Sequence, residues 1–211
     1  MTVFAATARA RRSIADLLDS LDDAQLAAPS LCASWSVKMV AGHVAAAVVV
    51  GSGGFLRELL RQRGNAHRTN TVLARRVAEL PTAELAGLLR ERADRASSPP
   101  VVGPRGPLSD GLIHEGDMRV PLGLPHTPDP ADVALALEFI TTGRPVGFVP
   151  KGALRGLRLV ATDLDRTWGD GDALEGRGID LLMAACGRTA LLPALTGAGV
   201  PVLAGRLTTR R

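Results

Sequence analysis

Aromatic residues are scarce in this 211-residue chain: they make up 3% of the sequence, and tyrosine is absent. A cofactor or nucleic-acid site built on aromatic stacking is therefore not expected. Cysteine is also rare, since Cys32 and Cys186 are the only two and neither lies in a Cys-x-x-Cys motif. We interpret both as small apolar residues and expect neither a disulfide nor a reactive thiol.

Long hydrophobic runs are missing as well. The most apolar stretch, Val44–Val50, is much shorter than the about 18 residues that a membrane-spanning helix needs. The segment Met1–Arg12 lacks the apolar stretch of a secretory signal. We therefore expect a cytoplasmic protein that has no membrane partner.

Lysine is almost absent, although the net charge is +4: only Lys38 and Lys151 are lysines among 25 basic residues. Such an arginine-rich chain is typical of contact with phosphate or nucleic acid. Here the arginines are scattered and lie beside acids, as in Arg90-Glu91-Arg92. We therefore expect no nucleic-acid partner and attribute the arginine excess to a GC-rich genome.

Hydrophobic residues at 46% and charged residues at 22% indicate a globular protein. Apolar residues at helical spacing predict a mainly α structure over the first 145 or so residues. Ser34 or Ser36 is predicted to cap the second helix, and Thr82 the second half of the region that Pro81 interrupts. The helix after the Gly51–Gly54 stop is predicted to continue the second helix in nearly the same direction. The predicted helices cover Val3–Leu21, Val37–Val50, Phe55–Gln62, Thr69–Ala96, Leu108–Val120 and Pro130–Ile140.

The pattern changes after a stretch rich in glycine and proline, which reads as a linker near residue 147. Alternation over Leu157–Thr162 predicts a strand, and the turn Gly169–Asp172 predicts a hairpin with Ala173–Glu175. Helices are predicted over Ile179–Cys186 and Thr189–Leu195. The sequence thus predicts a helical bundle over residues 1–146 and a small α/β domain over residues 147–211.

Histidines are the first candidates for chemistry. His43 lies among alanines and valines of the second predicted helix, where a core histidine is as reasonable as a ligand. His67 lies in a polar segment and His126 in a proline-flanked one, so we expect both to be exposed and inert.

A second histidine has more informative neighbours. Asp110 and His114 are four residues apart, so on a helix they share one face and can bind the same divalent metal. Asp117 lies on the same side, where it either accepts the second ring N–H of His114 or replaces Asp110 as a ligand. Glu115 is predicted to point away into solvent. Spacing alone leaves equally open a half-buried helix whose acids pair with nearby arginines.

Two segments resemble the signatures of a known family. Ser30–His43, with the sequence SLCASWSVKMVAGH, resembles the S-L-C-x-x-W-[ST]-V-x-x-V-x-x-H signature of the actinobacterial mycothiol-dependent maleylpyruvate isomerase family. Asp110–Gly123 resembles its second signature, an acid four residues before H-x-x-D, then R-x-P-L-G. The resemblance covers nearly the whole chain, because further segments resemble the family's small C-terminal domain: Leu159–Asp163, Trp168–Gly171 and Gly187-Arg188.

The resemblance implies a DinB-like four-helix bundle followed by a small α/β C-terminal domain. It also implies a divalent metal, usually zinc, held by His43, Asp110 and His114. Three protein ligands leave an open position, which is typical of catalytic zinc, and in the family the thiol of mycothiol is thought to be activated there. The resemblance further implies that Arg188 faces a substrate carboxylate, with a surface arginine near a helix end as the alternative. We expect Asp117, from its spacing, to orient a ligand histidine.

The chain departs from the isomerase at one ligand position, where Asp110 stands in place of glutamate. The aspartate side chain is one methylene shorter, which bears on metal affinity. The short loop Ser97–Pro107 and the small C-terminal domain indicate a different substrate pocket. We expect a mycothiol-using isomerase or S-transferase that acts on a small electrophilic substrate. Two alternatives stay open: a non-enzymatic module of this fold that binds metal or small molecules, and a metal-dependent hydrolase. The oligomeric state is also open, with a homodimer as one alternative.

Overall fold

The structure is a computed structural model, and it describes residues 2–208. By its contacts the chain forms two compact units. One unit contains the residues up to Ala96 together with His114–Pro125, and the other contains Ser97–Ile113 together with the residues from His126 onward. The division falls inside a single helix, between Ile113 and His114. The boundary near residue 147 that the sequence suggests stays a prediction.

Helices form the first unit, and most of them bury one apolar face. In the first of them, for example, Ile14, Leu17 and Leu18 are buried. The helices are α1 (Val3–Ser20), α2 (Asp23–Ala27), α3 (Val37–Val49), α4 (Gly51–Arg61), α5 (Ala66–Ala78), α6 (Thr82–Glu91) and the second half of α7 (Arg105–Arg119).

The core of this unit is a helical bundle. α3 packs along α5, α1 packs along α6, and α3 also contacts α6. Val40, Leu85 and Leu89 belong to the shared core, and Met118 brings α7 into it. Burial of each such side chain contributes about 1.5–3 kcal/mol, so this face holds the helices together. The prediction of a helical bundle is confirmed.

The ends of α3 show where the sequence predicts the backbone and where it does not. The Ser36 side chain accepts a hydrogen bond from Met39 N and caps α3, as predicted. At Gly51, where φ is +66°, the chain bends by 117° between α3 and α4. The prediction that α4 continues α3 is therefore wrong, and the glycines lie inside α4 rather than between helices. Thr82 does not cap α6 either, since Pro81 occupies the cap position.

The described residues contain no single helix that is long and apolar enough to cross a membrane. The pair α3 and α4 reaches the required length and composition only when the two are taken together across their bend.

A small sheet and helices form the second unit. Its elements are the first half of α7, α8 (Pro130–Thr142), β1 (Leu157–Ala161), β2 (Arg166–Trp168), β3 (Asp172–Gly176), α9 (Gly178–Ala185), the 3-10 helix Thr189–Ala194 and α10 (Gly199–Thr208). Strand β1 lies between β2 and β3, pairing antiparallel with β2 and parallel with β3. Helix α9 packs on β1 and β3, and α8 contacts both α9 and β2.

The strand pairing differs from the predicted hairpin. The hairpin joins β1 to β2, and the glycine-rich turn that follows carries the chain to the other edge of β1. Gly171 makes this passage possible: its φ is +118°, and a Cβ there would lie 2.2 Å from the Gly156 carbonyl oxygen. The sequence does not predict α10, because its stretch contains a proline and two glycines. The predicted class, mainly α with a small α/β C-terminal part, is confirmed.

Arg11 is a buried cation that joins α1 to the end of α6. Its Nη1 donates hydrogen bonds to the carbonyl oxygens of Ala93 and Arg95, both at 2.8 Å. Both carbonyls belong to the turn that directly follows α6, where no helix hydrogen bond is available to them. Arg11 therefore joins α1 to the chain just beyond the end of α6.

We expect Arg11→Ala to lower the free energy of unfolding by about 2–3 kcal/mol, because buried carbonyl groups lose a charged donor. The matched control is Arg12→Ala, whose ion pair with Asp94 is exposed, and it should cost less than about 1 kcal/mol. Urea unfolding followed by circular dichroism measures both. Equal losses in the two variants would contradict a special role for Arg11.

Candidate metal centre

Two imidazole rings meet in the first unit, one from α3 and one from the second half of α7. The centroids of the His43 and His114 rings lie 4.9 Å apart, and the rings meet edge to face at 80°. The ring of Trp35 lies against His43, with centroids 5.4 Å apart. Both histidines are half-buried, so a small ligand is able to reach them.

A glycine beside His43 sets the distance between α3 and α5. A Cβ on Gly42 would lie 2.6 Å from the Ala74 carbonyl oxygen and 2.8 Å from the Ala78 Cβ. Only glycine allows the two helix backbones to approach this closely. The position of His43 on the bundle thus depends on its small neighbour.

Asp110 lies one turn before His114 on α7. One donor atom from each of His43, Asp110 and His114 lies within 4.8 Å of the other two. Two imidazoles and one carboxylate are a donor set that catalytic zinc sites use, so these residues fit a divalent ion. The geometry brings together the three ligands that the sequence suggests, and their role as ligands stays a prediction.

Asp117 is fully buried, and its side chain contacts His114 and Cys32. Its Oδ2 lies 2.9 Å from His114 Nδ1 and 3.1 Å from Cys32 Sγ. A carboxylate in the interior needs such hydrogen bonds, because an unpaired charge there is costly. When Nδ1–H donates to Asp117, Nε2 is the nitrogen that remains available to a metal.

Cys32 is the residue that the sequence analysis did not select. It lies in the segment between α2 and α3, which is fastened to α7 by a hydrogen bond from Leu31 N to the Asp117 carbonyl oxygen, at 3.0 Å. Its Sγ is 3.7 Å from His114 Nδ1. Cys32 and His43 both belong to the segment Ser30–His43 that resembles the family signature, and this shared segment is the sequence feature that could have indicated a role for Cys32. Spacing along the chain does not predict a contact between residues 82 positions apart.

Glu115 is buried, which contradicts the predicted exposure. Its Oε1 accepts hydrogen bonds from Ser13 Oγ and Arg119 Nε, both at 2.7 Å. The prediction failed because α7 is packed on more than one side, so even its polar positions are covered. Glu115 thus bonds to α1 and to its own helix.

The remaining candidates have mixed outcomes. His67 is exposed, as predicted. His126 is only 7% exposed, so its predicted exposure is wrong, and Arg177 donates to its backbone oxygen at 2.8 Å. Arg188 is half-buried and donates to the Cys186 carbonyl oxygen at 2.8 Å. Its role toward a substrate stays a prediction.

The fold and this group of side chains place the protein among helical-bundle proteins that have a candidate metal centre and a small α/β unit. The family described as "Mycothiol maleylpyruvate isomerase N-terminal domain" matches residues 7–112, about half of the chain. The chain belongs to this family. The matched segment contains His43 and Asp110 and ends just before His114.

Solved structures agree with this family at the level of the fold. The crystal structure of the mycothiol-dependent maleylpyruvate isomerase is 15% identical, with a TM-score of 0.54. The structure of its histidine-to-alanine mutant is 14% identical, with a TM-score of 0.55. Each match covers 94% of this chain and 93% of the other. No curated protein sequence matches the chain.

We expect Gly42→Ala to lower the free energy of unfolding by about 1–3 kcal/mol, because the added Cβ meets the backbone of α5. The matched control is Gly87→Ala, at an exposed position inside α6 with open space around it. It should stabilise the protein by about 0.5–1 kcal/mol, the usual gain of alanine over glycine in a helix. Thermal unfolding compares the two. A neutral Gly42→Ala would contradict the close approach of α3 and α5.

Proposed function

We propose that this protein is a metal-dependent, mycothiol-using isomerase or S-transferase that acts on a small electrophilic substrate. His43, Asp110 and His114 would hold the metal, with zinc as the first candidate. The observation that carries the proposal is the convergence of their donor atoms within 4.8 Å, in a chain of the mycothiol maleylpyruvate isomerase family. Maleylpyruvate, the substrate of the isomerases that share this fold, is the first substrate to test.

A divalent metal in such a site lowers the pKa of a thiol that binds at its open position, which makes the thiolate available at neutral pH. The chain's own residues prepare the site. His43 and His114 each offer one neutral ring nitrogen, and Asp110 supplies a negative charge toward the cation. Trp35 packs on the His43 ring and restricts its rotation.

Two further residues take supporting roles in this proposal. Asp117 Oδ2 lies 2.9 Å from His114 Nδ1. By accepting the Nδ1–H, Asp117 would fix the ring tautomer and leave Nε2 as the nitrogen that could hold the metal. We assign Arg188 to a carboxylate of the substrate, because a guanidinium pairs with a carboxylate through two parallel hydrogen bonds. A carboxylated electrophile is accordingly the preferred substrate class.

We expect His43→Ala to weaken zinc binding by more than about 100-fold, since losing even a hydrogen-bond partner of a ligand costs about 10–100-fold. His67→Ala, at an exposed histidine, is the matched control and should leave zinc binding unchanged. Metal analysis and isomerisation of maleylpyruvate with added mycothiol are the measurements.

Unchanged zinc content and turnover in His43→Ala would show that the ligand assignment is wrong. Zinc binding without turnover on any tested electrophile would favour the non-enzymatic module. Turnover that does not depend on added thiol would favour the hydrolase.

We expect Asp117→Asn to weaken zinc affinity by about 10–100-fold, because a neutral amide holds the His114 N–H less strongly than a carboxylate does. The matched control is Glu115→Gln, a buried acid of the same helix that bonds to Ser13 and Arg119 instead. Competition with a chelator measures both affinities. Equal zinc affinity in the two variants would remove Asp117 from the positioning role.

A further inference from the structure

We propose that Cys32, His114 and Asp117 form a second metal site, one that selects thiophilic divalent ions such as Cd²⁺. Their donor atoms lie within 4.8 Å of one another, and all three residues belong to the first unit. This site uses Nδ1 of His114, whereas the proposed zinc site uses Nε2. The inference goes beyond the proposed function and shares two residues with it: His114, and Asp117, which there orients the His114 ring.

The chemistry of the donors favours a soft divalent cation. A thiolate, a carboxylate and a neutral imidazole carry two negative charges together, which match one divalent ion. Thiolate ligands select ions such as zinc and cadmium over magnesium and calcium. Because one donor is a thiolate sulfur where the group of His43, Asp110 and His114 has a second imidazole nitrogen, this site is softer than that group.

The observed distances are close to those of a coordination sphere. Sγ of Cys32 lies 3.7 Å from Nδ1 of His114 and 3.1 Å from Oδ2 of Asp117, and Nδ1 lies 2.9 Å from Oδ2. Donors around a tetrahedral ion with bonds of about 2.0–2.3 Å lie about 3.3–3.8 Å apart. The two shorter contacts are hydrogen bonds, and they lengthen by a few tenths of an ångström when an ion replaces the protons.

Hydrogen bonds hold Cys32 in place before any ion arrives. Cys32 N donates to Ser30 Oγ at 3.1 Å, and Trp35 N donates to the Cys32 carbonyl oxygen at 3.0 Å. Asp117 is fully buried, whereas Cys32 and His114 are half-buried, so an ion reaches the group from the side of the latter two. Because Cys32 is already ordered, little conformational entropy would be lost when an ion binds.

The proton balance makes the two sites compete. An ion bound at the second site would form a bond to Cys32 Sγ as the thiol loses its proton to solvent. It would also form a bond to Nδ1 of His114, and the ring proton would then be on Nε2 instead of Nδ1. Nε2 then no longer offers a lone pair to zinc. Two ions on one ring would require removal of the last ring proton, so each ion weakens the other reciprocally.

The test is a titration of the metal-free protein with Cd²⁺, followed by the thiolate-to-metal charge-transfer absorbance. We expect the band in the wild type and in Cys186→Ala, the matched control at the other cysteine, which is buried in the second unit. Cys32→Ala and Cys32→Ser should both lose it while circular dichroism stays unchanged. Absence of the band in the wild type, or its survival in both Cys32 variants, would overturn the proposal.

A second arm separates this inference from the proposed function. His43→Ala should keep the Cd²⁺ band, because it leaves the Cys32 group intact, and its loss there would overturn the proposal. Saturating zinc should weaken Cd²⁺ binding by about tenfold in the wild type and by less in His43→Ala, where only direct competition by zinc at Cys32 remains. A Cys32-dependent band that zinc does not affect would support the second site and count against the proposed zinc site.

Discussion

A fully buried carboxylate lies where separate parts of the first unit meet, and the candidate site depends on it. The Asp117 side chain engages His114 and Cys32, and its backbone oxygen accepts a hydrogen bond from Leu31. An ionised carboxylate left unpaired in the interior costs several kcal/mol, so these partners are held together. Because α3 follows directly after the Leu31 segment, the same interactions also help to determine where His43 lies.

The sequence predicts the helices well because apolar faces repeat over many residues, and local errors average out. α1 and α8 begin where predicted, at Val3 and Pro130. The direction of a helix and the pairing of a strand are harder to predict, because single residues or residues distant in the chain determine them. One backbone dihedral at Gly51 turns α4 away from α3, and the partner of β3 depends on a crossover that the turn sequence does not encode.

The sequence also predicts some parts of the candidate site and not others. The Asp110–His114 spacing and the Asp117–His114 hydrogen bond can be predicted, because both follow from helix geometry. The burial of His126 and Glu115 cannot be predicted from the sequence, because it depends on what packs against them. The contact between Cys32 and α7 joins residues that are distant in the chain, and no local sequence pattern predicts it.

Two of the proposed ligands share one turn of α7, so the helix itself sets their separation. That turn includes Gly111, and glycine weakens a helix interior by about 1 kcal/mol relative to alanine. An ion held by Asp110 and His114 would act as a cross-link between successive turns. Helix stability and metal occupancy are then thermodynamically linked: whatever frays this turn releases the ion, and the ion in turn holds the helix.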